Sequence, residues 1–211
     1  MTDIKRLSPV AFNKQPIKTQ VRDNWVIALE YDDEGDGPWI TDLSHVTKWD
    51  VQASDIAEQK PCDISIPDTP GKSKLENGVL INRMNRTQAS VWHISGDAPE
   101  IPEASAYTDT TESTMCLALF GKDVFFITEK LSALDFQDPE KESLFLLQGP
   151  FSHVPCQIVT LKKSDANSGI IFTCSRGYGH DMVHAIMDAG AEFDLRPAGE
   201  NMFKRWIEDQ T

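Results

Sequence analysis

The sequence predicts an α+β protein, with antiparallel sheet covered on one face by helices. Three observations carry this reading. Short strand-like runs recur in pairs, joined by turn residues, along most of the chain. Two stretches, Lys122–Leu131 and His180–Ala189, have the apolar spacing of amphipathic helices. Within residues 106–190 the order is strand, strand, helix, strand, strand, helix, as in a ferredoxin-like unit.

Taken in order, residues 1–20 hold Pro9 and Pro16 and few periodic positions, so they read as an irregular leader. Trp25–Tyr31 is a strand with Trp25, Ile27 and Leu29 on one face. Asp32 to Pro38 is a turn rich in glycine and acids. Trp39–Val51 is a strand pair interrupted near Ser44-His45. Residues 54–60 suit one short helix capped by Ser54. Residues 61–78 carry three prolines and two glycines and read as a long loop. Val79–Asn82 and Gln88–Ile94 are two strands about a turn at Asn85-Arg86.

Residues 95–106, with Gly96, Pro99 and Pro102, suit a linker. They divide the chain into an N-terminal α+β half, 1–100, and a ferredoxin-like half, 101–211. Ala106–Ser113 suits an edge strand, and Met115–Phe120 is apolar throughout, as a buried strand must be. Gly121 turns the chain into the first helix, where Val124, Ile127 and Leu131 share a face. Leu144–Leu147, Val154–Leu161 and Ile170–Cys174 are further strands, the last after a polar turn at Asp165–Gly169. His180–Ala189 turns Val183, Ile186 and Met187 inward, and Gly190 suits a left-handed C-terminal position. Pro197 introduces a last helix, Ala198–Asp209, with Met202, Phe203, Trp206 and Ile207 on one face.

Composition narrows the function classes. The 211 residues are 40% hydrophobic and 25% charged, which suits a globular protein with a real core. The net charge of −13 argues against nucleic acid and anionic membrane surfaces as partners. No window of 18 apolar residues suits a transmembrane helix, and Met1–Val10 lacks the apolar core of a signal peptide. Cys62, Cys116, Cys156 and Cys174 are widely spaced, as expected of reduced thiols in a cytoplasmic protein.

Candidate chemistry is sparse. His180 and His184 stand at i and i+4, but no third metal ligand or adjacent glutamate accompanies them. Ser175 to Gly179 lacks the full spacing of a phosphate loop. Ser44-His45 and Ser152-His153 are sequence neighbours outside any nucleophile-elbow pattern. The best candidate is polar: Asn82, Arg83, Asn85 and Arg86 cluster near Trp92, and arginines beside an aromatic ring can hold an anionic ligand.

Three segments resemble one family, the glycine-cleavage T-protein or aminomethyltransferase family. They are Trp39–Lys48 with its Ser44-His45-Val46-Thr47-Lys48, Thr114–Lys122, and Asp188–Glu200 with its Arg196-Pro197-Ala198-Gly199. The resemblance implies a truncated folate-binding module without the C-terminal barrel, of the kind seen in the sarcosine oxidase γ subunit. It implies an accessory or folate-binding subunit of one-carbon or methylamine metabolism. A protein partner subunit or a homo-oligomer would accompany it, and tetrahydrofolate would be the cofactor. The alternative it implies is a divergent tetrahydrofolate-dependent aminomethyl or methyl transferase. Family enzymes carry an acidic pair on a strand that aligns with Asn77–Arg83; here Asn82 is the nearest polar residue, and an amide cannot act as a carboxylate base. No catalytic residue is expected on that alignment.

Overall fold

The computed structural model describes residues 5–96, 98–164 and 166–209. The chain opens with a hairpin, β1 (Pro16–Arg22) and β2 (Trp25–Tyr31), that forms its own two-stranded sheet. The irregular leader is thereby corrected: its end is a strand. Pro16 does not prevent this, because proline is tolerated at the first residue of an edge strand. Next come β3 (Trp39–Asp42), β4 (Lys48–Gln52), β5 (Ser73–Glu76), β6 (Val79–Arg83), β7 (Gln88–His93) and β8 (Tyr107–Asp109). The rest is β9 (Thr114–Gly121), α1 (Val124–Glu129), β10 (Phe145–Phe151), β11 (Val154–Lys162), β12 (Ser168–Ser175), α2 (Gly179–Gly190), β13 (Arg196–Pro197) and α3 (Glu200–Glu208).

Two larger sheets organise the fold. A six-stranded sheet runs β10-β11-β12-β9-β3-β13, antiparallel except for the parallel β13–β3 pair. A five-stranded antiparallel sheet runs β5-β6-β7-β4-β8. The α+β class therefore stands. The sheets exchange strands across residues 95–106: β3 joins β9–β12, and β8 joins β4. Three strands separate α1 from α2, matching the three individual strands expected there and not the two of the ferredoxin-like order.

Period-two alternation explains the layers. On β9, Met115, Leu117 and Leu119 pack with α1 and α2, while Cys116, Ala118 and Phe120 face α3 and the five-stranded sheet. A strand buried on both faces must be apolar at every position, which is why Met115–Phe120 reads as an unbroken run. Trp49, Val51, Val79, Ile81, Ala89 and Val91 form the outer face of the second sheet, covered by Ile56, Ile64 and Ile66. The long loop expected at 61–78 holds β5 in its last part, and the helix expected at 54–60 is one 3₁₀ turn, Ile56–Glu58.

The left-handed residue near the end of α2 is Asp194 (φ 57°), not Gly190 (φ −86°). Gly190 is instead a close-packing position, where any Cβ would meet the Leu195 side chain at 2.5 Å. The expected turn at Asp165–Gly169 begins outside the described residues, at Asp165.

Candidate functional site

A group of ionisable side chains lies where the hairpin, the β3–β4 loop and the start of α3 meet. Here a cleft of about 210 Å³ is lined by Arg22, Trp25, His45, His93, Glu200 and Lys204 among others. Glu200 is its centre. It stands in the first turn of α3, where a carboxylate complements the exposed backbone N–H groups. It is only 2% exposed.

Three neighbours compensate its burial. His45 Nε2 lies 3.1 Å from Oε1, Lys204 Nζ lies 3.2 Å from Oε2, and Arg22 donates from Nη2 to Oε2. Burial alone would raise this carboxyl. The hydrogen bonds from His45 and Arg22, with the charges of His45 and Lys204, overcome it and hold the group at about 2.

Local sequence dictates the approach of these elements. Gly199 lies so close to β2 that a Cβ there would sit 2.2 Å from the Leu29 carbonyl oxygen. Its N–H donates to Glu34 Oε1 at 2.8 Å, and the same oxygen accepts from Tyr31 N–H at 2.9 Å. Thr41 Oγ1 donates to the Ala198 carbonyl at 2.9 Å, which ties β3 to the segment entering α3. Asp42 accepts from the Ser44 N–H, and Ser44 Oγ accepts from the Cys116 N–H at 3.2 Å.

The loop carrying His45 is fixed from beneath by Lys48. This side chain is 1% exposed, and its Nζ donates to the Ser44 and Val46 carbonyls at 2.8 and 2.9 Å. Burial lowers its pKa below the usual lysine value. Trp25, buried at the rim of the cleft, has the Arg6 and Arg176 guanidinium carbons 6.0 and 5.9 Å from its ring centroid.

The residues singled out in the sequence are not gathered into one pocket. Asn82 and Trp92 face the space between the two sheets: Asn82 bonds Ser73 and Ser90, and Trp92 is packed in the core. Arg83 is on the other side of β6, paired with Ala89, and its Nη2 donates to the Arg86 carbonyl at 2.7 Å. Asn85 is exposed and shapes the β6–β7 turn through the Thr87 N–H. None of the five lines the cleft around Glu200. His180 and His184 are exposed on α2, and no cluster of three metal-ligating side chains occurs among the described residues.

Glu200, His45 and Arg22 were missed because their contact spans the whole chain. The available signal was that Ser44-His45 and Gly199-Glu200 both lie in segments of family resemblance. The chain resembles one from the heterotetrameric sarcosine oxidase of Corynebacterium sp. U-96, solved in complex with pyrrole 2-carboxylate. The TM-score is 0.57 at 14% identity, over 73% of this chain and 84% of that one. This likeness shows the fold. No protein-family model matches the sequence, and no curated protein matches it. No helix among the described residues is long and apolar enough to cross a membrane.

A carboxylate held near 2 is almost always ionised and too weak a base to take a proton efficiently near neutral pH. Its two oxygens already serve Arg22, Lys204 and the His45 ring. The arrangement acts as a clamp joining β1, the β3–β4 loop and α3.

Proposed function

We propose that this chain is a non-catalytic subunit of a heteromeric enzyme of the sarcosine oxidase type, acting in one-carbon or methylamine metabolism. The observation that carries the reading is the fold shared with a chain of a heterotetrameric oxidase. The chemistry of the cleft supports it, because the most buried acid there is committed to internal ion pairs. A folate pocket built on Arg83 and Trp92 is not part of the proposal, since these side chains leave β6 and β7 on opposite faces.

The test is co-expression of the chain with the flavin-dependent amine oxidase subunits of its own genome, followed by light scattering on the eluted species. A stoichiometric complex that oxidises sarcosine, with no turnover by the chain alone, is the expected result. Turnover by the isolated chain, or elution apart from every oxidase subunit, would overturn the proposal.

A further inference from the structure

The chain has four cysteines, Cys62, Cys116, Cys156 and Cys174, and all four are free thiols. The two large sheets sort them. Cys116 lies on the face of the six-stranded sheet that meets α3, and Cys62 packs against the outer face of the five-stranded sheet. Cys156 and Cys174 share one core, the one covered by α1 and α2.

Register brings these two together. On β11 and β12, Ile158 stands opposite Phe172 and Gln157 opposite Thr173. One further step along the same antiparallel pair sets Cys156 opposite Cys174, on the face that carries Ile158 and Phe172. The two side chains are hydrogen-bonded to each other. Directly opposed residues have Cα atoms about 4.5–5.5 Å apart, inside the roughly 4.4–6.8 Å that a disulfide tolerates. Their Cβ atoms stand about 4.5–5.5 Å apart, so bond formation needs an approach of about 1 Å.

Access and acidity favour the same pair. Cys116 is 0% exposed, whereas Cys156 is 5% and Cys174 4% exposed, beside the exposed Pro155 and Ser175 near the strand ends. Local opening at such ends admits an oxidant as small as hydrogen peroxide. The hydrogen bond to Cys174, with burial, holds Cys156 above the ordinary thiol range, and the same bond holds Cys174 below it. Cys174 is therefore the first of the two to ionise, and the thiolate is the nucleophile.

We infer that Cys156 and Cys174 form a redox-sensitive dithiol, which hydrogen peroxide converts to a cross-strand disulfide between β11 and β12. The Cys174 thiolate attacks one peroxide oxygen, the O–O bond breaks, and the departing hydroxide takes up a proton to become water. The Cys156 sulfur then attacks the Cys174 sulfenic acid, the S–O bond breaks, and the Cys156 proton leaves with that oxygen as a second water. The two thiols lose two electrons and the peroxide gains them. A thiol reductant restores the pair. The inference goes beyond the subunit reading and does not depend on it.

The test treats the reduced, folded full chain with a few equivalents of hydrogen peroxide, removes the excess with catalase, alkylates in denaturant and maps the peptides. The expected product is lighter by two hydrogens, about 2 Da. Two thiols escape alkylation, and one crosslink joins Cys156 to Cys174 until dithiothreitol reverses it. Four alkylated thiols, a bond that includes Cys62 or Cys116, or crosslinking only in a denaturant that unfolds the chain overturns the inference. Cys156→Ser removes the second thiol, so Cys174 should stop at the sulfenic acid and be captured by dimedone. An adduct elsewhere, or none, refutes Cys174 as the attacking sulfur. Cys62→Ala, in the core of the other sheet, should still form the crosslink, and its loss there refutes the pair. Where Cys156→Ser does not fold, the Cys62→Ala map decides.

Discussion

Replacing Glu200 by glutamine tests the clamp directly. Glutamine keeps the shape of the side chain and imitates the neutral carboxyl, so it isolates the value of the charge. The carboxyl is held at about 2 against an ordinary 4.5. At about 1.4 kcal/mol per pKa unit, the ionised group contributes about 3 kcal/mol to folding near neutral pH. For a chain of this size that is about 6–12 °C in melting temperature.

The pH dependence has a definite sign. Because the folded pKa is depressed, the unfolded chain binds a proton at this site first as pH falls. The stabilisation is full above about 4.5 and fades as pH drops towards 2. The assay is denaturant unfolding of parent and Glu200→Gln protein at several pH values between 7 and 2.5. The gap between them should narrow steadily below pH 5. A difference under about 1 kcal/mol near pH 7, comparable to an exposed ion pair, would refute the reasoning. So would a gap that stays constant down to pH 3.

Three further predictions follow from close packing and burial. Gly199→Ala places a methyl carbon 2.2 Å from the Leu29 carbonyl oxygen, so it should lower the melting temperature by several degrees through displacement of α3 from β2. A thermal shift within error of the parent would contradict that contact. Lys48→Met leaves the Ser44 and Val46 carbonyls without their donor, and urea titration should show a loss of about 1–3 kcal/mol; an unchanged midpoint would mean that the loop carrying His45 does not depend on Lys48. Of the four thiols, only Cys62 is partly exposed, and burial pushes the Cys116 thiol up to about 12. A disulfide exchange reagent at mildly alkaline pH should therefore modify one cysteine in the native protein and four after unfolding, and rapid native modification of two or more would refute the assigned burial.

Much of the fold was legible because alternation and helical spacing are local signals. Trp25–Tyr31 emerges with the bounds expected, and α2 differs from His180–Ala189 by one residue at each end. The two-sided burial of β9 was visible in its unbroken apolar composition. Sheet membership was hidden, because nothing in Trp39–Asp42 states that its partner is Leu117–Phe120 rather than the next strand in sequence. The β1 strand was hidden for a different reason. Its side chains are exposed on both faces, so no buried face imposes alternation. A cluster of arginines and asparagines beside a tryptophan looked like one site because sequence distance ignores the pleat. Asn82 and Arg83 are neighbours in the chain and must point to opposite faces of β6.

The segments that resemble the aminomethyltransferase family turn out to be neighbours in space. Thr41 bonds Ala198, the Ser44 hydroxyl receives the Cys116 N–H, and His45 meets Glu200, so the first segment closes on both of the others. Each of these contacts holds a backbone segment or satisfies a buried charge. The resemblance therefore resides in framework residues, whose roles are to place β3 between β9 and β13 and to seat α3. Fold does not dictate function, so these framework contacts leave the chemistry of the chain to be decided at its own side chains. Among the described residues, the most buried acid is occupied internally, which fits contacts that serve the framework.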